Sequence, residues 1–249
     1  MLKSSNHKRG LVVFDCDGTL VDSQHMILRA MEVAFAAHDL TPPPLEAVRR
    51  VVGLSLDQAV AMLVAQANTE NEVEPALVAR LVEDYKGAFH DLRADGGHAQ
   101  EPLYPGIREA LETLSEAGYD LGVATGKSSR GLGKVLELHD ISRFFVTVQT
   151  ADNHPSKPHP AMLEAAIAEA GATARGTVLI GDTSYDIRMA VAAGVGALGV
   201  AWGYHPPGEL TVAGASHIAQ AAGDIPALVE EILAPVPAEG RAEERVEGG

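Results

Sequence analysis

The chain has one cysteine, Cys16, among its 249 residues. An internal disulfide is therefore impossible, and a multi-cysteine metal site is excluded. This usage is compatible with a reducing compartment. Aromatic residues supply only 4 % of the chain, too few for a stacking platform along single-stranded nucleic acid. Positive charge is scarce as well: 19 Lys and Arg against 34 Asp and Glu give a formal net charge of −15. That balance opposes nucleic acid and anionic membranes and favours solubility, while a locally positive pocket still admits a small anionic substrate. The basic stretch MLKSSNHKRG runs through LVVF directly into Asp15. No apolar run there has the length of a signal peptide or a membrane span. The expectation is a cytoplasmic protein, a monomer or homodimer, with neither nucleic acid nor membrane as partner.

What is present is apolar residue, at 46 % of the chain, enough for a sizeable core in one large domain or two unequal ones. LVVF, residues 11–14, reads as a short buried strand ended by DCDG. From about His25 to Ala94 the pattern turns helical, over 26–40, 55–67 and 75–92, with Pro42, Pro43 and Pro44 as an interruption and no convincing strand. After that, strands alternate with helices: strands at 119–126, 144–150, 177–182 and 196–202, helices at 107–118, 158–171 and 184–194, and a last helix in DIPALVEEIL. Such alternation predicts a parallel sheet covered on both faces. The fold class is α/β: a Rossmann-like parallel-sheet core, residues 10–24 and 95–234, with an all-helical cap domain inserted at 25–94. Residues 235–249 are polar, aperiodic and read as a flexible tail.

In such sheets ligands bind beyond the carboxyl ends of the strands. Three of those ends read DCDGT, ATGKSS and LIGDTSYD, and a further loop reads SKPHP. Asp15 and Asp17, one residue apart, can both face one side while Cys16 faces the other. Gly18 permits a tight turn or close backbone approach. Two like charges need compensation, and Asp182 and Asp186 add two more carboxylates. An all-oxygen set of this kind suits Mg²⁺, with no His or Cys cluster to favour softer metals. Thr125 and Gly126 precede a helix start whose free N–H groups can hold phosphate oxygens. Lys157, stiffened by Pro155 and Pro158, can balance both an aspartate nucleophile and a phosphoryl oxygen. Lys127 reads as a solvent-facing charge, and His154 and His159 as loop residues. Nucleotide phosphate loops and the GxSxG hydrolase elbow are absent.

These residues together resemble the haloacid dehalogenase-like superfamily, in particular its phosphatases with an α-helical cap. FDCDGTLVDS resembles the first motif, VATG the second, SKPHP carries the lysine of the third, and GDTSYD resembles the fourth, in the same order over about residues 10–232. The resemblance implies that Asp15 is the nucleophile and that Asp17 is the general acid and base, also offering its backbone carbonyl to Mg²⁺. It implies that Thr125 binds a phosphoryl oxygen with Gly18 and Gly126 alongside, and that Lys157 orients Asp15. Asp182 and Asp186 would complete the Mg²⁺ site, Asp186 directly or through water, and Asp22 and Ser23 would touch the cap hinge. The implied activity is hydrolysis of a small anionic phosphomonoester, phosphoglycolate phosphatase-like members being the nearest in kind.

Asp17 argues against dehalogenation, which in this family lacks that acid. Lys86, the one lysine of the cap segment, is a poor candidate for an imine-forming phosphonate cleaver. A pyrophosphatase, a phosphomutase and a non-enzymatic binding protein on the same fold remain open. In the cap, Arg49 and Arg50 are either substrate contacts or solvent-exposed. The AWGYHPPGEL segment, 201–210, either lines the mouth of the site or packs its loop.

Overall fold

The computed structural model describes residues 9–67, 73–96 and 101–234; the tail expected over 235–249 lies outside them. Six strands form the sheet: β1 (Leu11–Phe14), β2 (Asp120–Thr125), β3 (Phe145–Thr150), β4 (Thr177–Gly181), β5 (Gly196–Val200) and β6 (His217–Ala219). Their order is β3-β2-β1-β4-β5-β6, and every neighbouring pair is parallel. β1 is central, with Phe14 level with Val123 on one side and Ile180 on the other. Chain order reverses direction at β1, so its carboxyl end is the switch point where such sheets open a crevice.

All four residues of β1 are fully buried, as a strand covered on both faces requires. Val12 and Phe14 face a cluster with Ile107, Leu111, Leu132, Val135, Ile225 and Val229. Leu11 and Val13 face the opposite cluster, with Met162, Leu163, Ile187, Met189 and Leu210. This period-two division is the strand's own pleat. It sets the helices on two sides.

Directly after β1 the chain leaves for a helical unit: α1 (Gln24–Ala36), α2 (Leu45–Val51), α3 (Leu56–Ala67) and α4 (Pro75–Gly96). Met31, Phe35, Val48, Val60, Leu63 and Leu81 give this unit a hydrophobic cluster, which Tyr204 and Tyr185 of the core join. α1 stops at Ala36, short of the expected residue 40, and Asp39 turns the chain at φ 55°. α2 was not expected, because the proline run reads as a break. Pro44 is its N-cap in extended conformation, where prolines cost no intrahelical hydrogen bond. Exit and return run side by side. Val21 and Leu103 form an antiparallel bridge, and the amides of Asp22 and Tyr104 donate to Pro102 and Leu20 at 2.8 and 3.0 Å.

The return continues with α5 (Ile107–Glu116), α6 (Ser129–Leu138), α7 (Ala161–Ala170), α8 (Ser184–Ala193), α9 (Pro207–Ala213) and α10 (Ile225–Leu233). α5, α6 and α10 cover the Val12–Phe14 face, and α7, α8 and α9 the other. α9 and β6 had not been anticipated, since a three-residue edge strand is too short to show a period. Among the described residues no helix is long and apolar enough to cross a membrane.

Candidate active site

The ladder of β1 extends one residue further, through the Asp15 amide donating to the Ile180 carbonyl at 2.9 Å. That bond fixes Asp15 at the sheet's carboxyl edge, while Cys16 turns into the core and is fully buried. Lys157 reaches the same point from the loop after β3. Its Nζ donates to Asp15 Oδ1 at 2.7 Å and to Asp186 Oδ1 at 2.6 Å. Burial by itself would lower the lysine's pKa, but Asp15 and Asp186 outweigh it and hold the ammonium charged. Burial pushes the Asp15 carboxyl up to about 7, Lys157 pulling it down and Asp186 adding to the rise.

Asp182 directly follows β4 and is held from two sides: Thr19 Oγ1 donates to Oδ1 at 2.8 Å and the Tyr204 amide to Oδ2 at 2.9 Å. Burial, then Asp186 and Asp15, push its carboxyl well above the usual range. Gly18 lies against it with φ 91°, and a Cβ there would stand 2.2 Å from Asp182 Oδ2. Asp186 has two duties. Its Oδ2 accepts from the Thr183 amide and hydroxyl at 3.0 and 2.6 Å, forming the capping box of α8, and its Oδ1 holds Lys157.

Asp15, Asp182 and Asp186 bring carboxylate oxygens within 4.8 Å of one another, all buried. Asp15 Oδ2 is buried with no hydrogen-bond partner among the described residues, which is costly unless something else supplies one. Once ionised, three carboxylates against one ammonium leave two negative charges, which a divalent cation cancels. The donor set is all oxygen, as a hard cation prefers. The residues therefore fit a bound metal ion.

Asp17 belongs to a different cluster. Its Oδ1 accepts from Ser23 Oγ at 2.5 Å and pairs with Lys127 Nζ at 2.9 Å. Lys127 is not the solvent-facing charge its sequence context predicts: its side chain is 9 % exposed. It also meets the buried Glu101 at 3.4 Å and lies 5.1 Å from the centre of the Phe89 ring. Burial works against its charge, and Asp17 and Glu101 together overcome that. Glu101 is shared with Arg93 of α4 through the guanidinium Nε at 2.8 Å. The only signal for Lys127 was its place two residues after Thr125, and the pairing partner Glu101 lies in an unrelated stretch.

Thr125 is buried at the end of β2, and its Oγ1 accepts from the Lys127 amide at 3.2 Å. Thr125, Gly126, Lys127 and Ser128 line a cavity of about 490 Å³ together with Asp15 and Asp17. The helical unit forms its other wall, with Leu54, Leu56, Tyr85, Phe89 and Arg93 among the lining residues. Arg49 and Arg50 are not among them. Arg49 donates to Gln24 Oε1 from Nε at 3.0 Å. Arg50 makes a two-pronged pair with Glu209 at 2.6 and 2.8 Å. Both flank a separate depression with Tyr204 and His205. His154 and His159 engage Gln149 and the Ala161 amide. The 201–210 segment backs the site: besides the Tyr204 amide on Asp182, Trp202 Nε1 donates to the Thr19 carbonyl at 3.2 Å and Tyr204 Oη meets Ser23 Oγ at 3.2 Å.

A family model described as "Haloacid dehalogenase-like hydrolase" matches residues 12–200. Among curated proteins, "Probable phosphatase IndB" of Dickeya dadantii is 37 % identical over 207 residues, covering 82 % of this chain and 86 % of that protein. A phosphoglycolate phosphatase of Aliivibrio fischeri is 32 % identical over 197 residues, covering 78 % and 85 %. Among solved structures, that of a hydrolase from Pseudomonas syringae superposes with a TM-score of 0.78 at 26 % identity, covering 90 % of this chain and 99 % of that one. With its family match running from β1 through β5, and with buried carboxylates and a lysine gathered at the sheet's carboxyl edge, the chain belongs to the haloacid dehalogenase-like hydrolase family.

Proposed function

We propose that the protein is a Mg²⁺-dependent phosphomonoester hydrolase working through an aspartyl-phosphate, on a small phosphorylated metabolite. The observation that carries this is the divided pair of carboxylates: Asp15 sits with Lys157 beside two further buried acids, and Asp17 sits with Lys127 at the cavity. Asp15 forms the bond to phosphorus, and the ester oxygen leaves with the bonding pair. Asp17 gives that oxygen its proton. With Oδ1 held by Ser23 and Lys127, the proton is carried on Oδ2, which has no hydrogen-bond partner among the described residues. Water then attacks phosphorus, Asp17 takes the water's proton, and phosphate leaves as Asp15 is regenerated. Thr125 and the amides that follow it hold phosphoryl oxygens, and Lys157 neutralises charge as the bond forms.

Mg²⁺, when bound, would neutralise charge shared by the nucleophile and the phosphoryl group. Asp15, Asp182 and the backbone carbonyl of Asp17 would hold it. Both oxygens of Asp186 are already engaged, by Lys157 and Thr183, which supports a contribution through water.

The relatives' names make 2-phosphoglycolate a candidate substrate. Phosphate release measured with and without Mg²⁺ across 2-phosphoglycolate, pyrophosphate, hexose phosphates and an aryl phosphate, beside Asp15→Asn, tests the reading. Metal-dependent turnover that Asp15→Asn abolishes is the expected result. Turnover that survives the substitution in contaminant-free protein removes Asp15 as nucleophile. Interconversion of hexose phosphates without phosphate release would make the protein a mutase.

A further inference from the structure

The wall that the helical unit turns toward the cavity is mostly apolar, with Ser55, Asp57, Lys86, His90 and Arg93 as its polar residues. Leu54, Leu56, Val82, Tyr85 and Phe89 line the same 490 Å³ cavity as the two aspartates. That volume falls within the range of roughly 300–1,000 Å³ that encloses drug-sized ligands, and a phosphoryl group on a two-carbon acid leaves much of it empty. The cations this unit brings to the cavity are paired: Arg93 with Glu101 at 2.8 Å through its Nε, and Lys86 with Glu83 at 2.7 Å. Arg130 and Lys134, which also line it, stand on α6 of the core. A second anionic group at the far wall would therefore face side chains that favour apolar atoms.

The aromatic part of that wall is already ordered. Tyr85 and Phe89 are one helical turn apart on α4, with ring centres 5.7 Å apart. Arg93 and Lys127 hold the Phe89 ring at 5.0 and 5.1 Å. The Tyr85 hydroxyl has no hydrogen-bond partner among the described residues, although it lines the cavity with Asp17 and Lys127. A pre-ordered aromatic pair loses little freedom when a flat group stacks beside it.

On the phosphatase reading above, we infer that the substrate carries its phosphate on an apolar, ring-bearing alcohol, seated against Leu56, Tyr85 and Phe89. Charge complementarity runs the right way: the dianion lies at the Lys157 and Thr125 end and the apolar body at the helical end. The Tyr85 hydroxyl is left for a polar substituent on that body.

The test compares kcat/KM of the Mg²⁺-supplemented full chain for benzyl phosphate, methyl phosphate and 2-phosphoglycolate, with Asp15→Asn as background. Benzyl and methyl alcohols are similarly poor leaving groups, so the ratio reports binding of the ring. Benzyl phosphate is expected to exceed both others by about tenfold or more. Leu56→Asn and Val82→Asn are each expected to lower the benzyl-to-methyl ratio several-fold; a general folding loss would lower both rates together. A preference for 2-phosphoglycolate, or a ratio unmoved in both variants, overturns the inference while the phosphatase reading stands. No turnover of these three beside turnover of a hexose phosphate or pyrophosphate overturns the inference alone; no turnover above the Asp15→Asn background on that wider panel overturns the phosphatase reading, and this inference with it.

Discussion

Lys127 Nζ stands 2.9 Å from Asp17 Oδ1, with both side chains almost wholly buried. Ser23 Oγ is 2.5 Å from the same oxygen. On the phosphatase reading, this hold on Oδ1 leaves Oδ2 to exchange a proton with substrate. A Lys127→Met variant loses this hold and strands Glu101 with Arg93 alone. The expected result is a fall in kcat/KM of about ten- to a hundredfold for alkyl phosphates, whose alcohols must be protonated as they leave. For 4-nitrophenyl phosphate, whose phenolate leaves without help, the fall should be several-fold at most. Equal losses on both substrates would show that Lys127 supports the fold and not the proton transfer.

The buried carboxylates predict a pH-dependent metal affinity. Burial holds Asp15 up at about 7 and raises Asp182 as well. Raised carboxyls keep their protons in the folded state at pH values where solvated ones have lost them. Their contribution to stability is therefore full below the ordinary carboxyl range and is lost as pH climbs through about 7. A cation must displace those protons, so it binds more tightly as pH rises and releases protons as it does. Titration calorimetry with Mg²⁺ should give at least roughly tenfold tighter binding at about pH 8 than at about pH 6, with proton release at the lower pH. Mg²⁺ should correspondingly raise the melting temperature more at the higher pH. An affinity independent of pH would mean that these acids do not hold the ion.

Much of this arrangement was legible in the sequence because parallel strands put their carboxyl ends on one edge. Once LVVF, DLGVAT and TVLIG were strands, Asp15, Thr125 and Asp182 had to converge. The helical insertion showed as a change of period. Lys127 reads as exposed in the sequence because its environment is made by Glu101 and Phe89, which local sequence does not connect to it. Arg49 and Arg50 fell outside the cavity because α2 directs them to Gln24, Glu46 and Glu209, and α2 itself was hidden behind three prolines. Asp186 carries two structural duties that the sequence does not announce: it caps α8 and holds Lys157.

Gly18 offers a test of how tightly Asp182 is built in. Its φ is 91°, and a methyl group there would lie 2.2 Å from Asp182 Oδ2. Gly18→Ala must both strain the backbone and displace a buried carboxylate. A stability loss of about 1–3 kcal/mol in urea unfolding is expected, together with Mg²⁺ affinity reduced more than tenfold. Unchanged stability and Mg²⁺ binding would show that Asp182 can move aside freely and is not fixed by its neighbours.

Gly126 is one point where core and helical unit meet tightly. A Cβ there would stand 2.3 Å from the Leu54 carbonyl oxygen and 2.7 Å from that of Gly53. Nearby, the Ser55 amide donates to Ser156 Oγ at 2.8 Å, so the segment between α2 and α3 is fastened onto the loops that carry Thr125 and Lys157. Gly126→Ala inserts one methyl group into that contact while leaving every charged group in place. The two units must separate slightly, and Leu54 and Leu56 move away from Asp15. Displacements of this order cost catalysis about a hundredfold when they disturb the placement of reacting groups, while most of each hydrophobic cluster lies within one unit, Tyr185 and Tyr204 being the core residues in the helical one. The variant should therefore keep its melting temperature within a few degrees and lose most of its kcat/KM, with Mg²⁺ affinity unchanged. Wild-type turnover in a folded Gly126→Ala protein would show that seating the helical unit on the core is not required for the reaction.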